Sequence, residues 1–140
     1  MIPSTNTVLT DDIEIVALPS VQHRMIRSKA ENGTDNRIIG ECDRLEAVKQ
    51  AVYKILNTER YEHAIYSWDY GIELMDLFGE SISYVEPELE RRITEALLMD
   101  DRITDVDEFE FDIPKKGCVH VTFTVHTVFG DYSEEKVVNV

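Results

Sequence analysis

Apolar positions recur every three to four residues in the middle of the chain and every two near its end, and that change of period places the elements. Leu45, Val48, Ala51, Val52, Ile55 and Leu56 form one stripe, with Lys49, Gln50 and Lys54 off it. This predicts an amphipathic helix of about 14 residues. Asp43 and Glu46 stand at capping-box-like spacing at its start, with Asp in place of Ser or Thr, and Asn57-Thr58 stops the pattern. A second stripe, Leu89, Ile93, Ala96 and Leu97, predicts another helix. Pro87 reads as its first residue, with Glu86, Glu88 and Glu90 near the positive end and Asp100-Asp101 at the close. Ile72 to Phe78 reads as a short helical turn ended by Gly79.

The remaining segments read as extended. His23 to Arg27 and Arg37 to Gly40 flank Asn32-Gly33, a hairpin turn signal. Upstream, Ile13 to Leu18 is a short β-branched apolar run ended by Pro19, and roughly the first ten residues are polar and expected to be loose. His63 to Tyr70 reads as a strand. Its Tyr66, Trp68 and Tyr70 alternate on one face and suit either an interface or a core, with Trp68 expected to be buried. Phe109, Phe111 and Ile113 alternate with Glu108, Glu110 and Asp112, and Pro114-Lys115-Lys116-Gly117 reads as a turn. Val119, Val121, Phe123 and Val125 then alternate with His120, Thr122, Thr124 and His126, and Tyr132 to Val140 supplies a last strand. The expected fold is α+β: two amphipathic helices packed on a mainly antiparallel sheet, ending in a C-terminal β-meander.

The 140 residues suit one domain. Its 14 Lys and Arg against 28 Asp and Glu give a net charge of −14. That charge argues against binding nucleic acid or an anionic membrane surface. No apolar run approaches the roughly 20 residues of a membrane span, and the Met-Ile-Pro-Ser-Thr-Asn start lacks the regions of a secretion signal. Two distant cysteines, Cys42 and Cys118, make no disulfide framework and suit a reducing cytoplasm. Residues 1–70 carry 8 basic and 11 acidic side chains, residues 71–140 carry 6 and 17. The acidic half is either a solvated face or the side that meets a basic partner.

Candidate chemistry is sparse. Cys118, His120 and His126 share one predicted strand face, but same-face neighbours lie about 7 Å apart and no fourth ligand has diagnostic spacing. Solvent-facing polar residues account for them better, and no cofactor is expected. There is no activated nucleophile motif and no glycine-rich phosphate loop. Glu59 and Glu62, in the unusual Thr58-Glu59-Arg60-Tyr61-Glu62 segment, are the carboxylates a glycoside hydrolase would use, though Glu59 beside Arg60 equally reads as an ion-pairing patch. What remains is a structural or interaction protein.

The stretch from Leu45 through Asn57-Thr58-Glu59-Arg60-Tyr61-Glu62, continued by Ile65-Tyr66-Ser67-Trp68-Asp69-Tyr70-Gly71-Ile72-Glu73-Leu74, resembles the XkdS-like prophage tail proteins. These are relatives of the small baseplate wedge protein once labelled a tail lysozyme. The resemblance covers roughly residues 19–140, taken as the wedge-like domain, with 1–18 as an N-terminal arm. In the wider family the helix is followed by a Glu-Pro-Arg-type motif; here Glu59 and Arg60 stand at the matching positions with no proline between them. The resemblance implies a structural subunit of a contractile-tail baseplate. Glu59, Arg60 and Tyr61 would face the larger wedge protein. Val119 to Val128 and Tyr132 to Val140 would meet the tail sheath protein by strand exchange, with Val119, Val121, Tyr132, Val137 and Val138 as contacts. It also implies assembly in a bacterial cytoplasm, residence in a virion or phage-like tail, and at most weak self-association in isolation. A tail peptidoglycan hydrolase and a free-standing adaptor are the alternative readings.

Overall fold

A computed structural model describes residues 18–30 and 33–140, without the side chains of 28–30 and 33–35. The run Ile13 to Leu18 therefore lies outside the described residues except for its last member. Among the described residues the order is β1 (Gln22–Ala30), β2 (Gly33–Cys42), α1 (Arg44–Leu56), a 3-10 turn (Met75–Leu77), α2 (Ile82–Leu97), β3 (Ile103–Lys115), β4 (Cys118–Thr127) and β5 (Gly130–Asn139). β1 and β2 form an antiparallel hairpin, and β3-β4-β5 form a separate antiparallel meander with β4 in the middle. The fold is α+β, as the periodicities imply.

The stripe of α1 is buried at Val48, Val52, Ile55 and Leu56, that of α2 at Val85, Leu89, Ile93, Ala96 and Leu97. Both pack on Val119, Val121, Phe123 and Val125 of β4 in one core. Asp43 caps α1, but through its neighbour Arg44 N–H (2.7 Å) rather than the amide of Glu46. Gln50 ties β1 to α1: its Oε1 accepts from Met25 N–H (2.8 Å) and its Nε2 donates to the His23 carbonyl (2.7 Å). Cys42 and Cys118 are buried and free.

Four expectations are corrected. His63 to Tyr70 is not a strand. It forms two successive turns, closed by Tyr66 N–H to His63 O and Tyr70 N–H to Ser67 O (both 3.2 Å), and Trp68 is 78% exposed. Pro87 is not the first residue of α2, which begins five residues earlier behind Ser81. The Ser83 carbonyl that Pro87 leaves unbonded lies on an exposed turn, where the loss is tolerated. The three glutamates consequently sit beyond the first turn, which holds no acidic residue. The turn expected at 114–117 narrows to Lys116-Gly117, because Lys115 already pairs with Cys118.

β3 is irregular. Its register with β4 shifts between Ile103 and Asp105, between Asp107 and Glu110, and between Asp112 and Lys115. Glu108 takes φ +53° at the second shift. These bulges turn Val106 as well as Ile103 into the core. β5 instead pairs with β4 in unbroken register from Cys118↔Asn139 to Thr127↔Gly130.

Candidate interaction surfaces

The segment after α1 is built from its cap outward. Asn57 and Thr58 side chains return to the Tyr53 and Lys54 carbonyls (2.8 and 2.7 Å), satisfying the helix end. The chain then meets residue 72 in a short parallel bridge, with Ile72 N–H to Thr58 O at 3.0 Å and Arg60 N–H to Ile72 O at 3.1 Å. Glu59 Oε1 accepts from Leu74 and Met75 N–H (2.9 and 3.1 Å), capping the 3-10 turn. Arg60 Nε donates to the Gly71 carbonyl (3.2 Å) and Nη1 to Glu95 on α2 (3.2 Å). Glu59 and Arg60 thus close a clamp around a loop rather than standing free, while Tyr61 (φ +70°) turns outward at the loop's root.

A polar crevice lies beside the clamp, lined by Arg60, Tyr61, Glu73, Arg91, Arg92 and Glu95. Its guanidiniums are matched by carboxylates. Arg91 bonds Glu88 (2.9 Å) and Glu95 (3.0 Å). The buried Arg92 bonds Glu88 (3.0 Å), the Glu73 carbonyl (2.9 Å) and both oxygens of Asp76. The structural role of the crevice is to fasten the 3-10 turn to α2.

The C-terminal residues divide by depth. Val119 and Val121 are fully buried against the helices, in a strand paired on both sides. Val138 is buried and Tyr132 partly so; the Tyr132 hydroxyl is buried without a partner, and burial pushes the phenol up. Val137 is exposed on the wet face. Among the described residues the outer edge of β5 faces no further strand. The Val140 N–H to Gly117 O bond (3.0 Å) fixes the parity: even-numbered residues bond toward β4, and Asp131, Ser133, Glu135, Val137 and Asn139 turn N–H and C=O outward.

The wet face carries His120 against Glu135 (3.1 Å), and His126 between Asp107 (Nε2, 2.8 Å) and Asp131 (Nδ1, 3.1 Å). Asp107 and Asp131 raise His126 above its ordinary value. Stability from that pair is present below the unfolded value and lost as pH rises through the folded one. Among the described residues no group of three or more His, Cys, Asp or Glu is placed to hold a metal.

Asp100, between α2 and β3, shows the opposite shift: hydrogen bonds from Arg102 (2.8 and 2.6 Å) hold its carboxyl below the usual range. Its contribution is present above the unfolded value of about 4 and lost as pH falls through the folded value. Asp100→Asn is expected to cost about 1 kcal/mol at about pH 6, and the gap from wild type should close on acidification. Denaturant midpoints across pH test this; a constant gap would show that the carboxylate charge is not what Arg102 reads.

Residues 27–130 match the family of contractile injection system sheath initiators. The chain is also 39% identical, over 140 aligned residues, to the phage-like element PBSX protein XkdS of Bacillus subtilis (strain 168), covering 96% of this chain and 95% of that protein. The chain belongs to the sheath initiator family. It is a sheath-associated structural component of a contractile tail. No helix among the described residues is long and apolar enough to cross a membrane.

Sequence reasoning marked Glu59, Arg60 and Tyr61 but missed Gly71, which receives the clamp, and the exposure of Ile65 and Trp68. The Ser67, Asp69 and Gly71 turn residues were the available signal.

Proposed function

We propose that this chain is the subunit on which the first sheath layer of a phage or phage-like contractile tail assembles, with the larger wedge protein near the tube bound at the segment around Glu59, Arg60 and Tyr61. The observation that carries the reading is the outer edge of β5, a regular ten-residue strand with five outward-facing backbone pairs. Such an edge templates an incoming strand. Of the sheet's two edges it is the one suited to this, since β3 is interrupted by three register shifts and carries Pro114. Val119 and Val121 serve the same contact from beneath, by holding β4 flat on the core.

Nothing in this reading needs catalysis. The Glu59 carboxylate, the first candidate for a hydrolase, is spent on two backbone amides, and the crevice beside it is lined by matched ion pairs. Deleting the gene from a host that carries the tail is expected to leave tubes and baseplates without sheath in electron micrographs, with sheath restored by the wild-type gene. Normal sheathed tails in the deletion strain would overturn the assignment.

A further inference from the structure

Loop 61–70 is hydrogen-bonded at both ends, and only Tyr70 of its side chains reaches the core. Two hydrogen-bonded turns shape it, Gly71 and the Glu59–Arg60 clamp fix its ends, and its rings lean on one another. Tyr61 and Trp68 sit 5.6 Å apart, and Tyr66 stacks on Tyr70 at 4.5 Å. Tyr70 in turn packs against the core. Yet Trp68 is 78% and Ile65 86% exposed, and Tyr61 and Tyr66 are exposed beside them. Apolar residues scattered singly on a surface are ordinary, but four large ones exposed within eight residues of one hydrogen-bonded loop are not.

The surroundings specify the occupant. Within 61–70 the carboxylates are those of Glu62 and Asp69, with no lysine or arginine, and the guanidiniums of the adjoining crevice, Arg60, Arg91 and Arg92, are already bonded to carboxylates. Glu62 and Asp69 flank the rings within the loop and are exposed. A second copy would bring the same carboxylates face to face and add its own charge of −14. We infer that loop 61–70 is a preformed docking site for a segment of a different protein whose apolar side chains are flanked by lysine or arginine. The rings supply rigid anchors at low entropic cost, as buried aromatics do at interface centres, and the carboxylates select the basic rim. The loop includes Tyr61 of the segment proposed to meet the larger wedge protein, so the inference rests on that reading and names the chemistry of the contact; no residue of the loop belongs to β5, so its failure leaves the β5 reading standing.

Trp68 is the protein's single tryptophan and reports on the site directly. The full chain is titrated with three synthetic amphipathic helical peptides: Leu with Lys, Ala with Lys at equal charge, and Leu with Glu. Saturable blue-shifted emission is expected with the Leu/Lys peptide, at least about tenfold tighter than with either other. Equal binding of the Ala/Lys peptide would reduce the site to charge, equal binding of the Leu/Glu peptide would reduce it to apolar contact, and no shift with any would remove it. Each of these overturns the inference, as does a blue shift driven by protein concentration alone, which would assign the loop to a second copy. Ile65→Ser should keep the melting temperature, since Ile65 packs on little, and weaken the Leu/Lys peptide about fivefold or more. Unchanged affinity in that variant would also overturn the site.

Discussion

Replacing Gly71 with alanine is expected to destabilise the protein by about 2–3 kcal/mol, lowering the melting temperature by roughly 10 °C. Gly71 takes φ +96°, where a side chain is strained, and its Cβ would lie 2.5 Å from the Thr58 carbonyl oxygen and 3.2 Å from Arg60 N. That oxygen is the acceptor of Ile72 N–H, and Arg60 N is the donor to Ile72 O. The methyl group would therefore enter the bridge that closes the loop, between backbone atoms that cannot swing aside. The Arg60 bond to the Gly71 carbonyl and the Glu59 cap on Leu74 and Met75 depend on the same bridge. Loss should thus be local first: loop 61–70 opens to proteases while the helices and meander persist. Gly79 supplies the control. Its φ is +85° but nothing lies within 4 Å of its Cβ site, so alanine there should cost only about 1 kcal/mol. Equal losses at the two positions would show that the Thr58 clash is not the cause.

What was legible in the sequence follows from which interactions decide each element. The stripe of α1 and the alternation of β4 reflect burial against one layer, and a period records that directly. His63 to Tyr70 misled because aromatic and β-branched enrichment marks packing on a half-buried pleat, not backbone conformation. Here the rings pack on each other, and Ser67, Asp69 and Gly71 set turns. Pro87 misled because an N1 position is its common place in a helix. Val85, four residues before Leu89, already extended the stripe upstream toward Ser81. At the site, Glu59 and Arg60 were visible as a charged block, but their partners lie 15 and 35 residues away. A pattern along the chain carries no record of such contacts. In the same way, alternation showed which β4 side chains face the core. The expected meander put β4 in the middle, but it could not show which residues of β5 turn their backbone outward, and so that Val137 stands beside an open edge.

The parity of β5 makes the sheath contact testable without dismantling the fold. Ser133 and Val137 are odd-numbered, exposed on the wet face, and point their N–H groups away from β4. Proline at both positions removes two outward donors while leaving every β4–β5 bond in place, the placement in which edge strands tolerate proline. The Ser133→Pro, Val137→Pro variant is expected to fold, with its melting temperature within a few degrees of wild type. Two lost strand-to-strand hydrogen bonds, at about 1 kcal/mol each, should cut sheath attachment at least about tenfold, read as the fraction of sheathed tails when the variant complements a deletion strain. Lys136→Pro is the contrast. Lys136 bonds toward β4 opposite Val121, so proline there breaks the ladder over the core and should lower the melting temperature before any partner is added. If the double variant folds and sheaths tails normally, the β5 edge is not the template and the bulged β3 edge would have to be reconsidered. If Lys136→Pro is as stable as the double variant, the assignment of inward and outward amides is wrong. Asp131 and Glu135 on the same edge explain why an unpaired strand of this length need not capture another copy first: like charges directly opposite each other disfavour edge-to-edge pairing, and a sheath strand without them would meet no such barrier.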